Sequence, residues 1–310
     1  MDSQVCFAFV CLFAFLSGSL PVHGLRLAEQ KCQEYKKIIV TLKPDTAGWS
    51  NDFVTVPNGV NARDGEFPHQ VRAGQWFYED EDTSFILRCG GALISEQYVL
   101  LSAHCLWTLG DDYVSLGRHD YTRNSSHAEV TIERNETILY PNYDEFTKTQ
   151  YDDIALVRLA KPVTFTSYIY PICLWTDVEK LSELQKYIAT GFRKGQQVND
   201  TQDTQLVKLQ FKRLLNQDCT REYADSPYYP DGIPANQLCV QSPVEWSDAC
   251  EGDAGGLLQT LEDDRTGLYR LLGVEGKGQE CDQAHGMYTY TRVEKYLDWI
   301  ENIVWGTSSS

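Results

Sequence analysis

The sequence predicts an all-β fold, either a sandwich or a barrel, followed by a helix near the carboxyl end. Short β-rich runs recur from Val56 onward, and clusters of Gly, Pro, Asn and Asp separate them. Many short strands with such turns between them are typical of all-β domains. Apolar residues recur at helical spacing within 292–305, which predicts an amphipathic helix packed on the domain. The predicted strands are residues 71–78, 84–88, 98–102, 113–116, 130–139, 154–159 and 206–211.

The first 24 residues are predicted to be a signal peptide. The apolar run from Val5 to Leu20 is short for a membrane span, and small residues near Gly24 suit cleavage by signal peptidase. One departure from the usual pattern is that Asp2, and no Lys or Arg, precedes the apolar run. We therefore expect a secreted, extracellular protein.

Residues 25–55 differ from the rest of the chain in composition and in hydrophobic pattern. They contain one cysteine, Cys32, a small basic patch and little periodicity, which we interpret as a loop-like pro-segment. The main domain is expected at 56–306, and residues 307–310 are expected to form a frayed tail.

Acidic residues outnumber basic ones. The 310 residues include 44 Asp and Glu but only 27 Lys and Arg, which gives a formal net charge of −17. Such a surface repels phosphate groups, so neither nucleic acid nor an anionic membrane is an expected partner.

Eight cysteines remain once the signal peptide is removed, an even number. In an oxidising compartment this predicts a disulfide framework, whereas a metal site would need close pairs such as C-x-x-C, and the sequence has none. Eight cysteines allow 105 pairings, so spacing alone does not connect them. The eight are Cys32, Cys89, Cys105, Cys173, Cys219, Cys239, Cys250 and Cys281.

Three segments carry residues suited to chemistry. His104 follows a predicted strand in Leu-Leu-Ser-Ala-His-Cys, and Asp153 stands immediately before a buried strand, where it could accept a proton from the histidine. The third segment, residues 252–256, reads Gly-Asp-Ala-Gly-Gly, and its glycines could let backbone N–H groups converge on one point. Taken singly, these are a core histidine, a strand cap and a turn.

Taken together and in this order, the three segments resemble the trypsin/chymotrypsin-like (S1) serine protease family over about residues 56–306. The resemblance implies two six-stranded antiparallel β-barrels with the active site between them and a C-terminal helix. The segments around Cys32 and Gly65, with Tyr151-Asp-Asp-Ile-Ala-Leu-Val, look most like arthropod haemolymph serine proteases of the Snake type.

The resemblance also implies roles for individual residues. His104 would be the general base and Asp153 its orienting acid, with Gly252 and Asp253 in the oxyanion region. The implied disulfides are Cys89–Cys105, Cys219–Cys239 and Cys250–Cys281, with Cys32–Cys173 tethering the pro-segment.

The chain departs from the family pattern at the nucleophile. Ala254 occupies the position of the serine, so His104 has no hydroxyl to deprotonate and no acyl-enzyme can form. Thr55 precedes Val56, where the family is cut after Arg or Lys, and Lys277 stands where the family has an aromatic residue lining the cleft. Several departures together favour a native pseudo-protease over an artefact at one position.

The resemblance also implies part of a substrate pocket, although Asp248 could equally be a retained structural acid. Asp248, Gly278 and Gly286 match the family's Arg/Lys-selective pocket. Arg118 replaces an acid found in calcium-binding relatives, so we expect no metal there, and no cofactor is expected. The acceptor triplets for N-glycosylation begin at Asn124, Asn135 and Asn199.

The sequence therefore predicts a secreted, non-catalytic serine protease homologue that binds extracellular proteins, either proteases or their substrates. An immune protease cascade is the expected setting. One alternative is an active trypsin-like endopeptidase cleaving after Arg or Lys, should Ala254 not be native. Another is a recognition module for surfaces or carbohydrate, which ranks lower because no aromatic cluster marks a sugar site.

Overall fold

The computed structural model covers most of the predicted domain and part of the pro-segment. The signal peptide before Gly24, the start of the domain at Val56 and the predicted Cys250–Cys281 pair lie outside the described residues. The described residues are 24–42, 60–79, 82–106, 112–120, 129–177, 180–183, 187–194, 203–241, 256–263, 266–276 and 286–306.

Six antiparallel strands close the first barrel, in the order β2-β3-β4-β7-β6-β5. Apolar side chains of neighbouring strands meet inside this barrel: Val71 of β2 lies opposite Leu116 of β5, and both are fully buried. The β-rich runs that predicted these strands lie within or close to their observed bounds. Their bounds are β2 Gln70–Glu79, β3 Asp82–Leu93, β4 Tyr98–Leu101, β5 Asp112–Leu116, β6 Val130–Leu139 and β7 Ala155–Leu159.

The second barrel contains six strands in the order β9-β10-β11-β14-β13-β12, and it closes because β12 and β10 both pair with β9. Two short strands extend it, β1 (Val60–Asn61) on β10 and β8 (Cys173–Leu174) parallel to β13. The prediction of two six-stranded barrels is confirmed. The strands are β9 Tyr187–Lys194, β10 Asp203–Arg213, β11 Gln237–Gln241, β12 Leu257–Asp263, β13 Leu268–Glu275 and β14 Met287–Arg292.

The two barrels share one apolar core, which the C-terminal segment completes. Ile94 of the first barrel and Leu257 of the second belong to the same buried cluster, together with Val293, Leu297 and Ile300. The predicted helix over 292–305 consists of a 3₁₀ turn, Val293–Lys295, and the helix α3, Leu297–Val304. A shorter helix, α2 (Asn216–Glu222), was not predicted.

The prediction of a loop-like pro-segment was wrong for its first half. Residues Leu27–Leu42 form a helix, α1, whose buried face consists of Ala28, Cys32, Tyr35 and Ile39. These positions follow helical spacing, but an alanine, a cysteine and a tyrosine give a weak apolar signal in the sequence. The helix lies against the body of the domain and is therefore part of the folded protein.

Three disulfides join the pairs that the resemblance implied: Cys32–Cys173, Cys89–Cys105 and Cys219–Cys239. The first connects α1 to β8, and the second connects β3 to the turn that carries His104. Within the part of the chain that the structure describes, no helix has the length and apolar character needed to cross a membrane.

Candidate active site

His104 and Asp153 are brought together by strand pairing. Leu101 at the end of β4 lies opposite Ala155 at the start of β7. The chain places His104 three residues beyond the first of these, in a 3₁₀ turn (Ala103–Leu106), and Asp153 two residues before the second. Local antiparallel pairing thus places the two side chains side by side.

The carboxylate of Asp153 receives two contacts from His104. Its Oδ1 accepts the backbone N–H of His104 at 2.8 Å, and its Oδ2 lies 2.7 Å from Nδ1 of the ring. Asp153 is buried, whereas 13% of the His104 side chain is exposed. A carboxylate beside Nδ1 favours the neutral imidazole that carries its proton on Nδ1. Nε2 is then unprotonated and could accept a proton from a hydroxyl placed next to it.

The neighbouring sulfur does not form a metal site with this histidine. Sγ of Cys105 lies 3.8 Å from Nε2 of His104, but it is bonded to Cys89 and is not a thiolate. The disulfide instead anchors the turn that carries the ring.

The second barrel reaches the site through the end of β13. The hydroxyl of Ser102 donates to the backbone carbonyl of Glu275. The backbone N–H of Glu275 donates to the carbonyl of Gly256 at 2.9 Å, and Gly256 is the last residue of the predicted Gly-Asp-Ala-Gly-Gly segment. The segment before His104 and the end of the glycine-rich segment are therefore both attached to this strand.

Glu275 is an unusual residue at this position, because its side chain is buried. Burial raises the pKa of its carboxyl group to about 8, although a backbone hydrogen bond from Gly256 partly opposes the shift. The sequence analysis missed this residue, since a single Glu at the end of an apolar run has no local signature.

Several predicted site residues lie outside the described residues. These are Asp248, Gly252, Asp253, Ala254, Lys277 and Gly278. Gly286 is described: it precedes β14 with a φ of 70°, a left-handed conformation that favours glycine. Arg118 donates to the carbonyl of Asp120 at 3.1 Å and pairs with Glu129 at 3.5 Å.

Of the three predicted glycosylation acceptors, the structure describes one. Asn135 is exposed on β6, at an irregularity in the pairing with β7 between Arg134 and Glu136. Asn124 and Asn199 lie outside the described residues.

The segment leading to Asp153 holds three residues that the sequence analysis did not single out. Gln150, Tyr151 and Asp152 each form hydrogen bonds to the second barrel or to its C-terminal extension. Tyr151 and Asp152 belong to the segment quoted for the family resemblance, but nothing in the sequence assigned a role to them or to Gln150.

Comparison with known proteins agrees with this geometry. The profile of the family described as Trypsin matches residues 56–300. The chain belongs to the trypsin family. The resemblance drawn from the motifs is thereby confirmed, and membership in the trypsin family accounts for the two barrels and the helix that follows them.

Curated relatives include arthropod members of the trypsin family. The chain is 31% identical over 294 residues to serine protease snk of Drosophila melanogaster, covering 90% of this chain and 65% of the relative. It is 31% identical over 261 residues to serine protease Hayan of the same species, covering 81% and 39%. Phenoloxidase-activating enzyme 1 of Spodoptera litura is 28% identical over 252 residues, covering 77% and 64%. The chain thus spans less than two thirds of the length of these relatives.

Proposed function

We propose that this member of the trypsin family is a secreted, non-catalytic serine protease homologue that acts by binding in an extracellular immune protease cascade. The observation that carries the proposal is Ala254 in Gly-Asp-Ala-Gly-Gly, in a chain that keeps His104 and Asp153 hydrogen-bonded.

The chemical argument concerns one atom. In the family's mechanism, Nε2 of the histidine removes a proton from the serine hydroxyl, and the oxygen then attacks the peptide carbonyl. A methyl group at residue 254 has no oxygen to deprotonate, so no covalent intermediate can form. In a related triad, loss of the nucleophile lowers kcat by about a million-fold.

Two further positions support the proposal. Thr55 precedes the predicted domain start at Val56, so an activating protease specific for Arg or Lys has no basic residue to recognise there. Lys277 stands where the family has an aromatic cleft residue, which changes the charge beside the site. The change at Thr55 would oppose activation of the enzyme, and the change at Lys277 would oppose binding of the substrate.

Purified protein tests the proposal directly. Incubated with peptides containing Arg or Lys, it should show no turnover above that of a His104→Ala control, and serine-directed phosphonates should leave it unlabelled. Turnover that copurifies with the chain and disappears in His104→Ala would contradict the proposal.

The alternative of an active endopeptidase is favoured by the intact His104–Asp153 pair. Sequencing the source transcript establishes whether residue 254 is natively alanine. In the Ala254→Ser variant, we expect activity to stay weak because Thr55 and Lys277 remain. Full activity in that variant would show that the loss of function is confined to one residue.

The proposed partners are extracellular proteases or their substrates. This rests on the names of relatives, which include a phenoloxidase-activating enzyme and the clotting factor G beta subunit of Tachypleus tridentatus. Affinity capture from the native body fluid, with the chain as bait, should enrich proteases or their substrates. Enrichment on microbial cell walls instead would favour the recognition-module alternative.

The mature protein is expected to begin near residue 25, which amino-terminal sequencing measures.

A further inference from the structure

Asp152 has an unusual backbone conformation. Among the non-glycine residues that the structure describes, it alone has a positive φ, 54°. Left-handed backbone is disfavoured for residues with a Cβ, and Asp and Asn are among the few that adopt it. The strained residue stands immediately before Asp153.

A tight turn connects the two aspartates. The backbone N–H of Ile154 donates to the carbonyl of Asp152 at 2.8 Å, which closes a three-residue turn centred on Asp153. The chain then continues into β7. The direction of the Asp153 side chain is therefore set by the backbone angles on either side of it, including the left-handed angle at Asp152.

The carboxylate of Asp152 is held by two donors. Its Oδ1 accepts a hydrogen bond from Nδ2 of Asn236 at 2.9 Å and another from the hydroxyl of Tyr296 at 2.7 Å. Nδ2 of Asn236 also lies 2.8 Å from that hydroxyl, so the three side chains form a closed triangle.

The donors come from the far side of the barrel interface. Asn236 immediately precedes β11, and Tyr296 links the 3₁₀ turn to α3. Tyr296 is buried and packs edge-on against Tyr140, with ring centroids 4.8 Å apart. Burial and the nearby Asp152 raise the pKa of Tyr296, which keeps its hydroxyl protonated and donating.

A neighbouring residue fixes the same segment. The backbone N–H of Gln150 donates to the carbonyl of Tyr228 at 3.1 Å, and its own carbonyl accepts from Nε2 of Gln237 at 2.7 Å. The hydroxyl of Tyr229 donates to the buried Oε1 of Gln150 at 2.5 Å. The chain before Asp153 is thus attached to the second barrel at both Gln150 and Asp152.

We propose that Asp152 is a positioning residue for the His104–Asp153 pair, acting through the triangle with Asn236 and Tyr296. The triangle holds the left-handed turn, and the turn aims the Asp153 carboxylate so that it meets both the backbone N–H and the Nδ1 of His104. This inference depends neither on residue 254 nor on the proposed binding function, because it concerns only the geometry of the pair.

The test uses the full chain and the hydrogen-bonded Nδ1 proton of His104, observed by NMR. Asp152→Ala removes the acceptor of the triangle and places at the left-handed position a residue that tolerates it less well, so we expect the proton to exchange with water at least about tenfold faster, or its signal to disappear. Asp152→Asn retains an acceptor oxygen and the tolerance for left-handed backbone, so its exchange should stay within about twofold of native.

A matched pair of tyrosine variants separates positioning from general loss of stability. Tyr296→Phe removes one donor of the triangle. Tyr187→Phe removes a buried phenol that donates to the carbonyl of Leu181 at 2.5 Å and serves as the control. We expect several-fold faster exchange in Tyr296→Phe only, although both lose similar unfolding free energy. Equal exchange in the two variants would overturn the proposal, and this comparison decides the matter alone if Asp152→Ala does not fold.

Discussion

The carboxylate of Glu29 and the guanidinium of Arg270 face each other through two hydrogen bonds, 2.7 and 3.0 Å long. Arg270 also donates to Glu262 and to the carbonyl of Leu174. Arg270 lies on β13 and is almost fully buried, while Glu29 lies in the first turn of α1. The helix α1 is therefore joined to the second barrel by a largely buried ion pair and, through β8, by the Cys32–Cys173 disulfide.

Glu29→Gln should destabilise the protein measurably. The substitution removes a charge-assisted pair and leaves part of a buried guanidinium unpartnered, so we expect the free energy of unfolding in urea to fall by about 2 kcal/mol. The matched control is Glu34→Gln on the same helix, which breaks only the exposed pair with Lys31 and should cost less than about 0.5 kcal/mol. Equal losses in the two variants would show that the pair does not fasten the helix.

The same pair should also depend on pH. The hydrogen bonds from Arg270 lower the pKa of Glu29 in the folded protein. The pair therefore contributes to the free energy of unfolding above the ordinary carboxyl pKa of about 4.3, and this contribution is lost as the pH falls through the lower pKa of the folded state. The difference between native protein and Glu29→Gln should therefore shrink below about pH 4.

Glu275 is expected to give the opposite pH dependence. Burial raises its pKa to about 8, so the folded state keeps a proton that the unfolded state releases at lower pH. The resulting stability is present at low pH and is lost as the pH rises from about 4.3 through 8, by roughly 5 kcal/mol for a difference of nearly four pKa units. Glu275→Gln keeps an acceptor for Gly256 and should remove this slope, whereas the exposed control Glu145→Gln should retain it. Parallel curves for all three proteins would contradict the assignment.

The disulfide between α1 and β8 predicts a result for a cleaved chain. Cys32 and Cys173 are 141 residues apart in the sequence. We expect a chain cut at a protease site introduced within 43–55 to run as one species on a non-reducing gel and as two after reduction. In a variant with Cys32→Ser and Cys173→Ser, the cut chain should run as two species on the non-reducing gel as well, because no covalent bond then joins the helix to the domain. Separation of the intact-cysteine protein without reductant would refute the tether.

The sequence analysis predicted features that are marked by residues adjacent in the chain, and it missed contacts between distant segments. The strands β6 and β7 of the first barrel are β-rich runs with turn-forming residues nearby in the sequence, so 130–139 and 154–159 were predicted close to their observed bounds. In β13 every residue from Leu268 to Glu275 is buried, which leaves no alternation to detect. His104 and Asp153 stand beside cysteine and strand signals, whereas Asn236 and Tyr296 meet Asp152 only after both barrels have closed. No spacing in the sequence reports such long-range contacts.

Asn135 is the predicted glycosylation acceptor that lies within the described residues, and it is exposed. The register passes from Arg134 opposite Leu159 to Glu136 opposite Arg158, so Asn135 falls at an irregularity of the strand pair and is exposed. Protein expressed from the full-length sequence, including the predicted signal peptide, and recovered from the medium should carry a glycan at Asn135. The glycan is detected because its removal by an amidase converts the asparagine to aspartate, which changes the mass of the peptide. Thr137→Ala should abolish the modification because it destroys the acceptor triplet, while Thr137→Ser should preserve it. An unmodified Asn135 peptide in secreted protein that is glycosylated at Asn124 or Asn199 would show that exposure on this strand does not suffice.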